Sequence, residues 1–167
     1  MPSAPMARML APGDPAPDFT LPDQHGAPVS LADRRNRWTV LYFYPRAGTP
    51  GCTQQACNVR DRAEDYAAAD AGVLGVSTDA PEILAAFSAE HGLDFPLLSD
   101  ADHGVADAYG AWVEKNMYGR THWGVARTTF VIDPDQKIAH VLPRAHPRTH
   151  DDKILAALAS ARPGARA

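Results

Sequence analysis

Tyr42-Phe43-Tyr44-Pro45-Arg46-Ala47-Gly48-Thr49-Pro50-Gly51-Cys52-Thr53-Gln54-Gln55-Ala56-Cys57 is the stretch on which the reading of this chain turns. An apolar run from Thr39 to Tyr44 stops at Pro45, a short loop follows, and Thr49-Pro50-Gly51-Cys52 opens a helix. Thr49 suits the N-cap, because its hydroxyl can accept from an unpaired amide of the first turn. Pro50 suits the first helical position, where a missing N–H costs nothing. Gly51 lets another group come close to the backbone. Cys52 falls in the first turn, where unpaired N–H groups and the positive end of the helix dipole favour an anion. An ordinary thiol is only about 3% thiolate at pH 7, and a helix N-terminus raises that fraction. Cys52 is thus placed to be a nucleophile.

Cys57, the second of the two cysteines in the chain, lies five residues further on. In an intact helix this is roughly 7.5 Å of rise and about 140° of rotation, with Cα atoms about 8 to 9 Å apart. A disulfide needs Cα atoms within about 7 Å. The pair can bond only if the first turns unwind. A structural disulfide is not built this way, whereas a thiol that is oxidised first and resolved later can be. Two cysteines do not make a disulfide scaffold. A structural zinc site wants four ligands, usually with closer cysteine spacing, so no metal is expected.

The pattern Pro45-x-x-x-Thr49-x-x-Cys52 resembles the active-site signature of the peroxiredoxins, thiol peroxidases on a thioredoxin-like fold. A second cysteine five residues later is similar to the Q-type branch, also called bacterioferritin comigratory protein. The resemblance runs from about Pro12 to Leu158. It includes Ala16-Pro-Asp-Phe-Thr-Leu-Pro-Asp23, Leu74-Gly-Val-Ser-Thr-Asp79, Phe95-Pro-Leu-Leu-Ser-Asp100 and Gly124-Val-Ala-Arg-Thr-Thr-Phe-Val-Ile-Asp133. It implies that Cys52 attacks hydrogen peroxide or an alkyl hydroperoxide and that Cys57 resolves the product as an intrachain disulfide. A thioredoxin or a similar dithiol would then reduce that disulfide. It also implies a hydroxyl from Thr49 toward the sulfur and the peroxide, shielding of the thiolate by Pro45, and the Arg127 guanidinium beside the sulfur. Spacing alone cannot find Arg127. No cofactor is implied, since the thiolate is the redox group. Gln55 occupies a place often taken by glutamate, and glutamine occurs there too. Two rival readings remain: a thiol–disulfide oxidoreductase, whose usual Cys-x-x-Cys is absent, and a non-enzymatic redox sensor.

The chain has 167 residues, 45% apolar and 22% charged, with a net charge of −4. This is an ordinary balance for one soluble domain with a sizeable core. It gives no reason to expect nucleic acid or an anionic membrane as partner. The first ten residues carry one charge and no signal-peptide run. Nothing approaches a transmembrane span. A cytoplasmic monomer is expected.

Residues 1–15, with four prolines, read as a flexible arm, residues 16–161 as one thioredoxin-like domain, and residues 162–167 as a tail. Phe19–Leu21 and Val29–Leu31 flank the turn signal Asp23–Gly26 and predict an N-terminal β-hairpin. Trp38–Tyr44 and Val73–Ser77 read as buried strands. The helix from Pro50 is expected to reach about Ala69. A second runs from Pro81 to Gly92, capped near Thr78 or Asp79, with Ile83, Leu84 and Phe87 as its apolar stripe. Phe95–Leu98 is a short extended piece, and His103–Tyr109 a short helix. Glu114–Gly124 reads as a polar loop. Arg127–Ile132 and Lys137–Leu142 form a hairpin, and Asp151–Ala161 a last helix. Strands alternating with helices argue an α/β fold with a mixed central sheet covered by helices. His140, His146 and His150 are not at helical ligand spacing and read as solvated. Trp38, Trp112 and Trp123 read as packing residues.

Overall fold

The computed structural model describes residues 10–161. The two end segments expected as arm and tail fall outside it for residues 1–9 and 162–167. A five-stranded sheet carries the molecule, in the order β5-β4-β3-β8-β9. Its members are β3 (Trp38–Phe43), β4 (Ala71–Ser77), β5 (Leu97–Ser99), β8 (Thr128–Ile132) and β9 (Ile138–Leu142). β3 is central and pairs parallel with β4, which pairs parallel with β5. On its other side β3 runs antiparallel to β8, and β8 to β9. The sheet is thus mixed, as expected. β3 and β8 are buried at every residue, which is why both read as unbroken apolar or β-branched runs.

Strand alternation sends Val40, Tyr42 and Tyr44 to one face and Leu41 and Phe43 to the other. The first face is covered by α1 (Pro50–Asp61), α2 (Ala63–Ala68), α3 (Pro81–His91) and α5 (His150–Ala161). The second is covered by Phe19, Leu31, Ala106, Tyr109 and Val125. They come from the N-terminal hairpin region, from α4 (Gly104–Ala108), and from the hairpin of β6 (Trp112–Met117) and β7 (Arg120–Val125). The expected N-terminal hairpin is β1 (Thr20–Pro22) against β2 (Pro28–Ser30). Gly75 is a packing requirement: a β-carbon there would stand 2.9 Å from the Tyr42 ring and 3.1 Å from Leu97.

Several local expectations are corrected. The helix from Pro50 does not run to Ala69. It breaks at Arg62 (φ −103°, ψ 18°), whose amide is shared between the carbonyls of Asn58 and Val59, and α2 then restarts at Ala63. α3 is capped at Ala80, because the Asp79 carboxylate is engaged by Ser77 and the Ala47 amide. Its buried stripe is Leu84, Phe87 and Ser88, leaving Ile83 half exposed. The polar loop at Glu114–Gly124 is a regular hairpin, with Tyr118 (φ 54°) and Gly119 (φ 79°) both left-handed at its tip. That is the backbone of a tight two-residue turn, which asparagine and glycine usually supply. The expected arm is already held from Gly13 onward, since Gly13 and Ala16 donate to Ile138 and Gln136 and Pro15 bridges Lys137.

Candidate active site

Cys52 stands at the N-terminal end of α1, directly over the central strand, and is 2% exposed. The buried face of α1 is Cys52, Gln55, Ala56 and Val59, a helical stripe at i, i+3, i+4 and i+7. Cys57 falls off that stripe and is only half buried. Both thiols are free, and one continuous helix holds them.

Two elements bring the rest of the site to this turn. The loop from β3 to α1 is pinned by Asp79, which accepts from the Ala47 amide at 2.7 Å and from the Ser77 hydroxyl at 2.9 Å. Arg127 arrives from just before β8, the antiparallel neighbour of β3. Its Nη2 donates to Cys52 Sγ at 3.3 Å and its Nη1 to Gln55 Oε1 at 2.6 Å. Cys52 and Gln55 are three apart and share a helix face, so one planar fork reaches both. Gly51 leaves the room, since a β-carbon there would stand 3.1 Å from Arg127 Nη2. The close approach expected at Gly51 is therefore that of the guanidinium.

Thr49 has the extended backbone of an N-cap (φ −75°, ψ 152°), but its hydroxyl caps nothing. It donates to the Arg46 carbonyl at 2.9 Å, while the Thr49 carbonyl accepts from the Thr53 amide at 2.8 Å. The expected side-chain cap is corrected accordingly, and the hydroxyl oxygen is left to accept. Pro45 and Thr49 line one shallow concavity beside the turn, together with Trp112 and Trp123. Arg127 lines another, with Arg144 and His146.

Below the turn the hydrophobic core holds several polar side chains. Tyr42 and Tyr44 are buried, their hydroxyls meet no partner among the described residues, and burial pushes both phenols above their ordinary range. Neither can act as a base near neutral pH. His150 is fully buried, which corrects the solvated reading. Its ring stacks obliquely 5.7 Å from Tyr42, and its Nε2 shares a proton with Thr129 Oγ1 at 2.9 Å. Its Nδ1 stands 3.3 Å from Asp151 Oδ1 but off the hydrogen-bond angle, a close approach and not a bond. His140 is half buried and His146 exposed, and among the described residues no cluster of histidine, cysteine or carboxylate is placed to hold a metal ion. Of the three tryptophans, Trp38 is buried, while Trp123 is 49% exposed and is not a packing residue.

Sequence reasoning passed over Gln55 as a partner of Arg127, Asp79 as the pin of the loop, and His150 as a core group. Asp79 had a signal, as the polar end of a buried strand beside a helix start. His150 had none, because a histidine opening a helix is equally at home in water.

The chain matches the model of the AhpC/TSA family over residues 12–141. It is 57% identical to a putative peroxiredoxin of Mycobacterium tuberculosis over 129 residues, 77% of this chain and 82% of that protein. It is 47% identical to the peroxiredoxin Bcp of Escherichia coli over 146 residues, 87% of this chain and 94% of that one. Among solved structures, the peroxidoxin BcpB of M. tuberculosis superposes with a TM-score of 0.81 at 42% identity, covering 91% of this chain and 98% of that one. The bacterioferritin comigratory protein of Xanthomonas campestris, studied for alkyl peroxide reduction, does so at 0.82 and 34% identity, covering 86% and 92%. With a buried cysteine under an arginine at a helix N-terminus, and with these relatives along most of its length, the chain belongs to the AhpC/TSA family and is a peroxiredoxin of the Bcp, or Q-type, branch, an enzyme on a thioredoxin-like fold.

Proposed function

We propose that Cys52 is the peroxidatic nucleophile of a thiol peroxidase acting on hydrogen peroxide and alkyl hydroperoxides, and that Cys57 resolves it. The observation that carries this reading is the 3.3 Å contact between Arg127 Nη2 and Cys52 Sγ in the first turn of α1. A permanent cation and the first-turn amides together favour the thiolate. The thiolate attacks the terminal oxygen of the peroxide and breaks the O–O bond. The leaving oxygen takes a proton and departs as water or an alcohol, and the sulfur becomes a sulfenic acid. Arg127 stabilises the charge that moves onto the leaving oxygen. Thr49, its proton engaged by the Arg46 carbonyl, accepts from the peroxide O–H and orients it. Pro45 on the same wall limits water.

Oxidation also loosens the helix. A hydrogen bond to an ionised group is roughly twice as strong as a neutral one, and conversion to a neutral sulfenic acid removes the charge that holds Arg127. The first turns open, Cys57 sulfur attacks the sulfenic sulfur, water leaves, and a disulfide forms within the chain. A thioredoxin or a similar dithiol returns both sulfurs to thiols and is itself oxidised. We place the enzyme in the cytoplasm as a monomer. No helix among the described residues is long and apolar enough to cross a membrane.

Thioredoxin-coupled peroxide consumption tests the assignment. Cys52→Ser should lose at least about 10³-fold of the activity, because a hydroxyl is a far weaker nucleophile at neutral pH. Near-normal turnover in that variant would remove Cys52 from the role.

A further inference from the structure

The two concavities beside the first turn of α1, lined by Thr49 and by Arg127 respectively, share one residue. The first, about 330 Å³, is lined by Arg46, Thr49, Trp112, Lys115 and Trp123 among others. The second, about 430 Å³, is lined by Lys115, Arg127, Arg144 and His146 among others. Neither lining contains an aspartate or a glutamate, whereas together they contain Arg46, Lys115, Arg127 and Arg144. The arginine ion pairs among the described residues engage Arg60 and Arg62, and none of these four cations. In a chain of net charge −4 the mouth of the site is thus locally positive, with Arg127 facing the Cys52 sulfur and Arg46, Lys115 and Arg144 in no ion pair among the described residues.

Lys115 sits at the centre of that field. It lies mid-way along β6, paired with His122 of β7, and is half buried. Its stem crosses Gly124, where a β-carbon would stand 3.5 Å from Cδ and Cε and 3.7 Å from Nζ. Burial, then Arg127, lower its pKa from the ordinary lysine value, and Cys52 opposes them, so the ammonium feels both members of the site. The wall of the first hollow carries two indoles beside its polar groups. Trp112 stacks flat on His103 at 3.9 Å, and Trp123 offers an exposed indole. A lysine whose only task was to solvate a hairpin would be expected to extend into water and to pair with an acid. This one lies along the strand between the two hollows.

We propose that Lys115 is a specificity-determining residue that holds the carboxylate of hydroperoxides bearing one, while their peroxide end meets Cys52 and their carbon chain lies against Trp112 and Trp123. The inference rests on the assignment of Cys52 as nucleophile. A cation in a hollow without competing acids attracts an anion and raises its encounter rate, and salt weakens the effect. The peroxide chemistry is unchanged: the O–O bond breaks as above, and the carboxylate takes no part in it.

The test compares 4-hydroperoxy-4-methylpentanoic acid with its uncharged methyl ester, each reduced by the full-length protein with the same dithiol. In wild type, kcat/KM should favour the acid by about tenfold at low ionic strength. The ratio should fall toward unity at about 0.5 M salt, chiefly through KM. Lys115→Met should lower the low-salt ratio to about twofold or less, and Lys115→Arg should restore most of it. Arg144→Glu, at an exposed position of the second hollow, should lower it independently. A wild-type ratio at or below one, or a Lys115→Met ratio equal to wild type, would overturn the proposal. The ratio is internal to each variant, so a partly unfolded preparation does not distort it. If Cys52→Ser consumed both compounds at the wild-type rate, the nucleophile assignment itself would fail. Charge-blind reduction that still depends on Cys52 would sink only the role of Lys115.

Discussion

The two halves of the α1–α2 segment that carries Cys52 are held in different ways. From Pro50 to Cys57 the side-chain hydrogen bonds that tie α1 to the rest of the described residues come from a single guanidinium, that of Arg127, to Cys52 and Gln55. From Asn58 onward the chain is tied to the start of α5 by three separate bonds. Asn58 donates to the Pro147 carbonyl at 3.0 Å, Arg62 to Asp152 at 2.8 Å, and the Tyr66 hydroxyl to Asp151. The break at Arg62 lies inside this second region. A local opening starts where the fewest contacts must be lost. On the proposed mechanism the first half carries the chemistry and unwinds once Arg127 lets go, whereas the second half gives the unwound segment a fixed end.

The sharpest way to break this comparison is to remove the tether. Arg127→Ala deletes the bonds to both Cys52 and Gln55, and the single-turnover oxidation of Cys52 should slow by about 10²-fold, the scale for one lost stabilising donor. Alkylation of Cys52 at pH 7 should slow as well. Unchanged rates in both measurements would mean that the first half is held by something other than Arg127.

The other half breaks differently. Tyr66→Phe leaves Asp151, 5% exposed, without its phenol, and stability should drop by about 1–3 kcal/mol, the cost of a buried acceptor left unpaired. The rate of the first oxidation should stay within about twofold, since the change lies in the anchored half and leaves the Arg127 contacts in place. Denaturant melts beside stopped-flow traces check the two parts. A large loss of oxidation rate with no loss of stability would reverse the assignment of the halves.

The smallest effect is expected at Gly51. Alanine there must displace Arg127 Nη2 by a few tenths of an ångström, and it also stiffens the first turn, by up to about 1 kcal/mol. Both effects slow the cycle, so peroxide turnover should fall by about threefold to tenfold, while thermal stability holds or rises. A variant faster than wild type would show that neither the guanidinium position nor helix opening limits the rate.

The first half was legible before any coordinates, and the second was not. Thr49-Pro50-Gly51-Cys52 announces a helix start and a favoured anion through local chemistry alone. β3 and β4 announce themselves as apolar runs, because they are interior strands of the sheet. The break at Arg62 carries no glycine or proline, and it arises where the helix ends meet α5. Arg127 is 75 positions from Cys52, brought there by the antiparallel pairing of β3 with β8, which no spacing rule encodes. The hairpin of β6 and β7 stayed hidden because a tyrosine occupies a left-handed position that local propensity assigns to glycine or asparagine. The same hairpin positions Lys115, so its place at the mouth was equally unreadable.

The central claim, that oxidation unwinds the first half of α1 and stops at the anchored half, is tested most directly by amide hydrogen exchange. The measurement compares the reduced protein with the Cys52–Cys57 disulfide form, its intrachain link confirmed by mass. Protection across residues 53–57 should fall by orders of magnitude on oxidation, while that of residues 59–68 should change by less than about tenfold. Equal protection of residues 53–57 in the two states would contradict the account, and so would loss of protection through α2 to Ala68.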